Sequence, residues 1–408
     1  MKTVIKIAWR NVWRNKMRSS VVFASIVMGV WAGLFTVSLT IGMMDQQKRT
    51  ILNTQTSHLK IHTDAYVKDE KLVNRIPSEK ITSLESALNN DERIKAFTFR
   101  TVSDGTVSNA HGFSNLKIVG VDPTTEQKVT TIAERLDSGF YFQEYKNNPV
   151  LVGRGLIGDL NLDVGKSVNL NFMSIDTLSV SIGFKVEGIF NSGSGMNDKG
   201  IVYVERSTLN ELLGTDDYIH EVAIMCHNLE EASVVADAFN ASFPELEART
   251  WVQLSPQLAY QDEMMTTSIL IILVIIIFAL AFGILNTMLM AVLERKRELG
   301  MLLCVGMNKF KVFMMIMFET IFLSFAAAPI GLLLSWITVS YFGKYGLNLG
   351  SVEDAMYQFG YDTMVYTKLD PLIYVSIAAM IIVAAIISSI IPARKALKYN
   401  PAEAVRAL

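Results

Sequence analysis

The residues that could do chemistry are few, and most of them fit no catalytic pattern. His58 and His62 stand four apart, which on a helix would suit a metal, but Thr56 to Thr63 reads as a strand, where that spacing spreads two imidazoles along one face. His220-Glu221 is followed by His227 rather than by a histidine three residues on, so the zinc-hydrolase pattern is absent. These histidines read as ordinary surface or half-buried side chains, with no metal expected. No Ser, His and Asp set stands out by spacing, although such a triad can assemble in space. The Gly-rich stretch Asn191 to Gly200 falls between strands and lacks a GxxxxGKS/T pattern, so it reads as a turn rather than a phosphate cradle. Cys226 and Cys304 fall in segments expected on opposite sides of a membrane and so cannot pair within the chain.

Charge is the chemistry that remains. Glu294 to Lys311 is a short connector between apolar stretches, dense in ions at Glu294, Arg295, Lys296, Arg297 and Glu298, then apolar around Leu299, Gly300 and Gly306. A rigid, ion-paired connector of this kind can pass force into the two helices it joins; the same charges could also merely anchor helix ends and fix topology. Glu319 lies inside an apolar stretch, where an ionisable group is expensive unless protonated, partnered or snorkelling. It either reaches the inner interface, hydrogen-bonds another helix, or takes part in transmission. Met43, Met44, Met264 and Met265 cluster at the outer ends of two such stretches, where flexible thioethers suit acyl chains and also serve as common interface filler.

The elements behind these residues follow from hydropathy. Half of the 408 residues are hydrophobic and only 19% are charged, with the apolar excess concentrated in four blocks. About 20 apolar residues cross a bilayer as a helix. The predicted organisation is an interfacial helix over 1–18, spans over 19–44, 266–293, 310–341 and 371–391, a large domain over 45–263, a connector over 294–309, a loop over 342–370 and a tail over 392–408. Lys2, Lys6, Arg10, Arg14, Lys16 and Arg18 precede the first span; Arg295, Lys296, Arg297, Lys309 and Lys311 mark the connector; Arg394, Lys395, Lys398 and Arg406 follow the last span. Positive flanks stay in the cytoplasm, so both termini and the connector belong inside, with the large domain and the acidic 342–370 loop outside. In the first turns Ile5, Trp9, Val12 and Trp13 alternate with cations at helical spacing, which favours an elbow helix along the inner leaflet over a merely basic flank.

The large domain switches to period two. Val150-Leu151-Val152, Ser167 to Phe172, Ser179 to Ile189 and Gly200 to Val204 read as strands. Ser78 to Asn89, Leu156 to Leu160, Ser207 to Leu213 and Glu230 to Phe243 read as helices, so the fold class is a membrane protein with four transmembrane α-helices plus a mixed α+β extracytoplasmic domain. A net charge of -2, with no basic run outside the membrane flanks, argues against a nucleic-acid groove.

The run Asn286 to Gly300 (NTMLMAVLERKRELG), then Cys304-Val305-Gly306-Met307, resembles the FtsX-like permease family of ABC transporters. Glu319, the ending Ile391-Pro392-Ala393-Arg394-Lys395-Ala396 followed by Asn400-Pro401-Ala402-Glu403-Ala404, and a stretch over Val150 to Leu213 similar to the MacB periplasmic core agree with it. The resemblance implies a non-catalytic permease subunit of the MacB/LolC/LolE type, most like the lipoprotein-releasing systems of the cell inner membrane. It assigns ATPase coupling to Glu294, Arg295, Arg297, Glu298, Leu299, Gly300 and Gly306, and lipid or cargo contact to the four methionines. It further implies a second permease chain, as homo- or heterodimer, a lipoprotein cargo, a periplasmic carrier and membrane lipids as partners. MacB carries its ATPase on the same chain, whereas no Walker A motif occurs here, so ATP and Mg2+ are expected on a separate cytoplasmic ATPase subunit. Alternatives that share the layout are a scaffold acting on a cell-wall hydrolase or sensor, and a peptide or macrolide exporter with an adaptor and outer-membrane channel.

Overall fold

A computed structural model of the chain describes residues 2–14, 16–143, 148–215 and 217–397. Lys398, Arg406 and the motif Asn400 to Ala404 lie outside the described residues, as does the side chain of Arg18. The chain divides into two compact units, residues 1–44, 263–348 and 364–408 in one, and 45–262 with 349–363 in the other.

The first unit is helical. Helix α1 (Lys2–Arg14) is followed by α2 (Lys16–Ile51), α3 (Pro256–Glu294), α4 (Lys296–Cys304), α5 (Lys309–Tyr345) and α6 (Pro371–Leu397). Of these, α2, α3, α5 and α6 are long and apolar enough to cross a membrane. They overrun the predicted spans: α2 has 36 residues, about 54 Å at 1.5 Å per residue, against a hydrocarbon core of about 30 Å. The helix continues past Met44 because Asp45, Gln46, Gln47, Lys48 and Arg49 are compatible with helix, with Asp45 and Arg49 paired one turn apart at 3.0 Å.

Small residues let the helices approach closely. A Cβ on Gly331 of α5 would sit 2.7 Å from the Val30 Cβ of α2, and one on Gly29 would meet the Leu280 side chain of α3. Several buried hydroxyls bond within their own helices, as where Ser324 Oγ donates to the Thr320 carbonyl at 2.9 Å and Ser388 Oγ to that of Ala384 at 2.7 Å. Helix α1 is amphipathic, but its buried stripe is Val4, Ala8, Asn11 and Val12, whereas Trp9 and Trp13 are exposed. The indoles are therefore not its packing face. Only the Trp9 ring turns back, edge-on to Phe322 of α5 at 5.4 Å.

The second unit is a mixed α/β domain. Its strands are β1 (Leu59–Thr63), β2 (Ile94–Asn109), β3 (Gly112–Val121), β4 (Leu136–Gly139), β5 (Pro149–Gly153), β6 (Ser167–Met173), β7 (Ser179–Phe190), β8 (Ile201–Glu205), β9 (Glu221–Cys226) and β10 (Leu246–Thr250). They form one sheet in the order β10-β1-β9-β2-β3-β8-β5-β7-β4, with β6 paired to β2 and β7. The sixteen-residue β2 joins the two halves, pairing with β9 through its first part and with β3 and β6 through its second.

The four strands expected over 150–204 occur with ends shifted by a residue or so. Four elements differ from this reading. The segment Leu52–Thr56 prolongs α2 as a π-turn, so the strand expected from Thr56 begins at Leu59, where β9 and β10 supply partners on both sides. Asn191 to Gly200 is not only a turn, because Gly195–Gly200 closes a short helix there. The helix expected over 230–243 starts as a 3-10 turn at Leu229–Glu231 and is α-helical over Ala232–Ser242. The 342–370 loop is not free: its residues 349–363, including the short helix Glu353–Gln358, belong to the α/β unit.

Candidate functional site

The connector folds as α4, and its geometry is set at both ends. At the C-terminal end Gly306 has φ +92°, the Met307 N–H donates to the Leu302 carbonyl at 3.0 Å and the Gly306 N–H to that of Leu303 at 3.1 Å. This is a Schellman closure, which needs a residue free to adopt the left-handed conformation. Asn308 then caps α5, its Oδ1 accepting the Phe310 N–H at 2.9 Å. Two helices are thus joined by a turn with little slack.

A chain of ions crosses this turn. Arg295, between α3 and α4, donates from Nε to Glu298 Oε2 at 2.9 Å and from Nη1 to Glu319 Oε1 at 2.9 Å. The same Glu319 oxygen accepts the Asn11 Nδ2 of α1 at 2.7 Å, and Arg14 of α1 pairs with Glu298. Asn11, Arg14, Arg295, Glu298 and Glu319 therefore fasten α1, α4 and α5 to one another. Glu319 is buried at 4% exposure and the Arg295 side chain is 14% exposed, so their pairing operates at low dielectric, where it is strong and costly to break. Burial disfavours the Arg295 guanidinium, but the carboxylates of Glu319 and Glu298 outweigh it and hold its pKa above the ordinary value. Partial burial opposes ionisation of Glu298, yet its bonds and charge interactions with Arg295 and Arg14 together outweigh it and hold its pKa below the usual carboxylate range.

The other predicted connector residues divide by exposure. Leu299 and Gly300 are buried under α4, while Glu294, Arg297 and Gly306 face outward. The exposed tip also carries Met301 and, at 88% exposure, Val305. Met43, Met44, Met264 and Met265 are each half-buried in α2 and α3. Asn11 and Arg14 were not among the predicted site residues. The signal for Asn11 was present, a lone amide on the Val4, Ala8, Val12 stripe.

The histidines depart from expectation. His62 and His220 are buried, not at the surface, and no group of metal ligands occurs among the described residues. His220 Nδ1 accepts the Val102 N–H at 3.2 Å and its Nε2 lies 3.0 Å from the Leu72 carbonyl; His58 Nδ1 accepts the Cys226 N–H at 3.2 Å. Beside them Arg100 makes a two-pronged contact with Glu126 at 2.9 and 2.6 Å and reaches Glu221 at 2.9 Å, while Lys60 donates to both Glu221 oxygens at 3.0 Å. These are structural groups, each imidazole nitrogen named here except His62 Nδ1 having a local partner.

Helices long and apolar enough to span a membrane, an α/β domain inserted after the first of them, and a fastened charged connector between the second and third define a multi-span membrane-protein class. Residues 270–401, which hold most of α3 and all of α4, α5 and α6, match the family described as FtsX-like permease C-terminal, so the chain carries an FtsX-like permease domain over that stretch. Relatives include the lipoprotein-releasing system transmembrane protein LolC of Xylella fastidiosa, 25% identical over 307 residues covering 70% of this chain and 72% of LolC. The macrolide export ATP-binding/permease protein MacB of Campylobacter jejuni is 22% identical over 379 residues, covering 86% of this chain and 55% of MacB. The periplasmic region of MacB from Actinobacillus actinomycetemcomitans aligns with 51% of this chain and 95% of that one, at a TM-score of 0.35 and 11% identity.

Proposed function

We propose that this chain is the membrane subunit of an ATP-driven system that releases lipoproteins from the inner membrane. A separate cytoplasmic ATPase holds the ATP and Mg2+, docks on the exposed tip around Met301, Val305 and Gly306, and engages Glu294 and Arg297. The observation that carries this reading is the ionic fastening of α4: a docked motor that moves the tip must also move α5 and α1, because Glu298, Arg295 and Glu319 join them at hydrogen-bond distance. Both termini are cytoplasmic and the α/β domain is periplasmic, supported by the cationic flanks of the first span and the connector. A second permease chain, identical or related, covers α3, of whose apolar core only 11% is buried against 39 to 44% for the other three helices. The lipoprotein as cargo and a periplasmic carrier as acceptor rest on the LolC relatives. Acyl chains cost about 0.8 kcal/mol per exposed CH2, so a motor and a shielded path, with Met43, Met44, Met264 and Met265 as lipid contacts, suit that cargo.

The MacB relative supports a second reading, export of a peptide or macrolide through an adaptor and outer-membrane channel. The test is a purified complex with its ATPase in proteoliposomes. ATP releases a triacylated lipoprotein to a soluble carrier, and Glu298→Lys, which places a third cation beside Arg14 and Arg295, abolishes release while ATP turnover persists. Unimpaired release by that variant would refute the coupling role, and ATP-dependent efflux of a macrolide without lipoprotein release would favour export.

A further inference from the structure

The α/β unit contains a segment that the chain order gives to the membrane helices. Residues 349–363 lie between α5 and α6, and three separate elements of the domain hold them. The Tyr357 hydroxyl donates to Asp198 Oδ2 at 2.5 Å, and the other oxygen of that carboxylate accepts the Ser192 N–H at 3.0 Å. Asp198 is wholly buried on the helix Gly195–Gly200, which can lie where it does because Gly153 has no Cβ: one added there would fall 2.1 Å from the Asp198 carbonyl oxygen. The Tyr357 ring lies against Gly195, where a Cβ would meet it at 3.0 Å. Arg154 donates from Nη2 to Glu353 Oε1 at 2.9 Å, with its guanidinium 5.5 Å from the centre of the Tyr357 ring. Gln47, beyond the apolar part of α2, donates from Nε2 to the Phe359 carbonyl at 3.0 Å.

These contacts have a mechanical meaning. Besides the two long helices that enter and leave the domain, the chain makes a third connection, and only residues 346–348 and 364–370 separate this clamped segment from α5 and α6. Helix α5 also holds Glu319. We infer that Glu353 to Gly360 is a clamp through which displacement of α5 and α6 is imposed on the external domain, with Tyr357, Glu353, Arg154 and Asp198 as positioning residues. The inference rests on the ATP-driven reading above. The clamp stays closed through the cycle, since its phenol, carboxylates and guanidinium satisfy one another and would be left unpaired by release.

The test uses the full chain with its ATPase in lipid nanodiscs, comparing hydrogen exchange over residues 195–226 without nucleotide and after vanadate trapping. Tyr357→Phe with Glu353→Leu removes the Tyr357–Asp198 and Arg154–Glu353 links while keeping the ring and nearly the volume. It is expected to reduce the nucleotide-dependent exchange difference at least about fivefold with ATP turnover unchanged. A second variant, Ser194→Cys with Gly360→Cys in a Cys304→Ser background, closes the clamp covalently: a Cβ on Gly360 would stand 3.7 Å from the Ser194 Cβ, within the disulfide range. Its oxidised form is expected to retain the full difference. The clamp is overturned if the double variant keeps the wild-type difference, or if the oxidised pair loses it. A wild-type complex with no nucleotide-dependent difference would sink the ATP-driven reading itself, and the clamp's role with it.

Discussion

Glu319→Leu is the sharpest perturbation of the junction. It removes the acceptor shared by Asn11 Nδ2 and Arg295 Nη1, leaving a buried amide and a largely buried guanidinium with one fewer partner each. Breaking a buried pair by deleting one member costs about 3–5 kcal/mol, and the Glu298 contact that Arg295 retains places the expected value near the lower end, about 3 kcal/mol. At 1.4 kcal/mol per factor of ten, local opening of α1 and α4 becomes about a hundredfold more frequent. Hydrogen exchange in the intact chain reads this directly as faster exchange of amides in 2–14 and 296–304, with strand β9 unchanged as the internal control. Glu319→Gln keeps an acceptor for Asn11 but loses the charge, and should give about a tenfold effect, in line with the smaller worth of a neutral hydrogen bond. Exchange in α1 and α4 within a factor of about three of wild type in Glu319→Leu, with β9 still protected, would refute the claim that Glu319 fastens these elements.

Three further outcomes follow from the packing. Arg100→Met leaves Glu126 and Glu221 facing each other without their shared cation and should lower the stability of the external domain in the intact chain by about 3–5 kcal/mol, read from denaturant-dependent exchange of β2 and β9. His62 lies stacked on Tyr66, and its burial, with the nearby Lys60 charge adding to it, depresses its pKa to about 4, so the unfolded chain binds its proton first as pH falls from 6.5. Its contribution is complete above pH 6.5 and is lost towards pH 4, up to about 3 kcal/mol; His62→Phe should flatten that part of the acid-unfolding curve, and an unchanged curve would contradict it. Gly331→Leu forces a side chain against Val30 and the Val27 carbonyl, and should cost about 1–3 kcal/mol in detergent-unfolding experiments, where a neutral result would mean that α2 and α5 are not in close contact.

The placement of polar side chains separates the elements that are legible in the chain from those that are not. Apolar runs long enough to cross a bilayer were legible because lipid offers no partner for backbone groups and so demands about 20 residues of one kind. The strands over 150–204 were legible because their inward positions are Val, Leu, Ile and Phe. Strand β2 was not: Thr98 and Arg100 on one face and Thr101 and Ser103 on the other are all buried there, and buried polar side chains erase the alternation that marks a strand.

Local composition and spacing suffice for the class of the molecule, four candidate spans, an inserted mixed domain and a charged connector with its glycine turn. Which ions meet is set by long-range packing alone. Glu319 could have reached an interface or a neighbour, and it meets Asn11 and Arg295, 308 and 24 residues away in the chain. Tyr357 and Asp198, 159 residues apart, likewise carry no mark in their own neighbourhoods. A buried polar group must find a partner wherever the fold supplies one, and sequence distance does not constrain that choice.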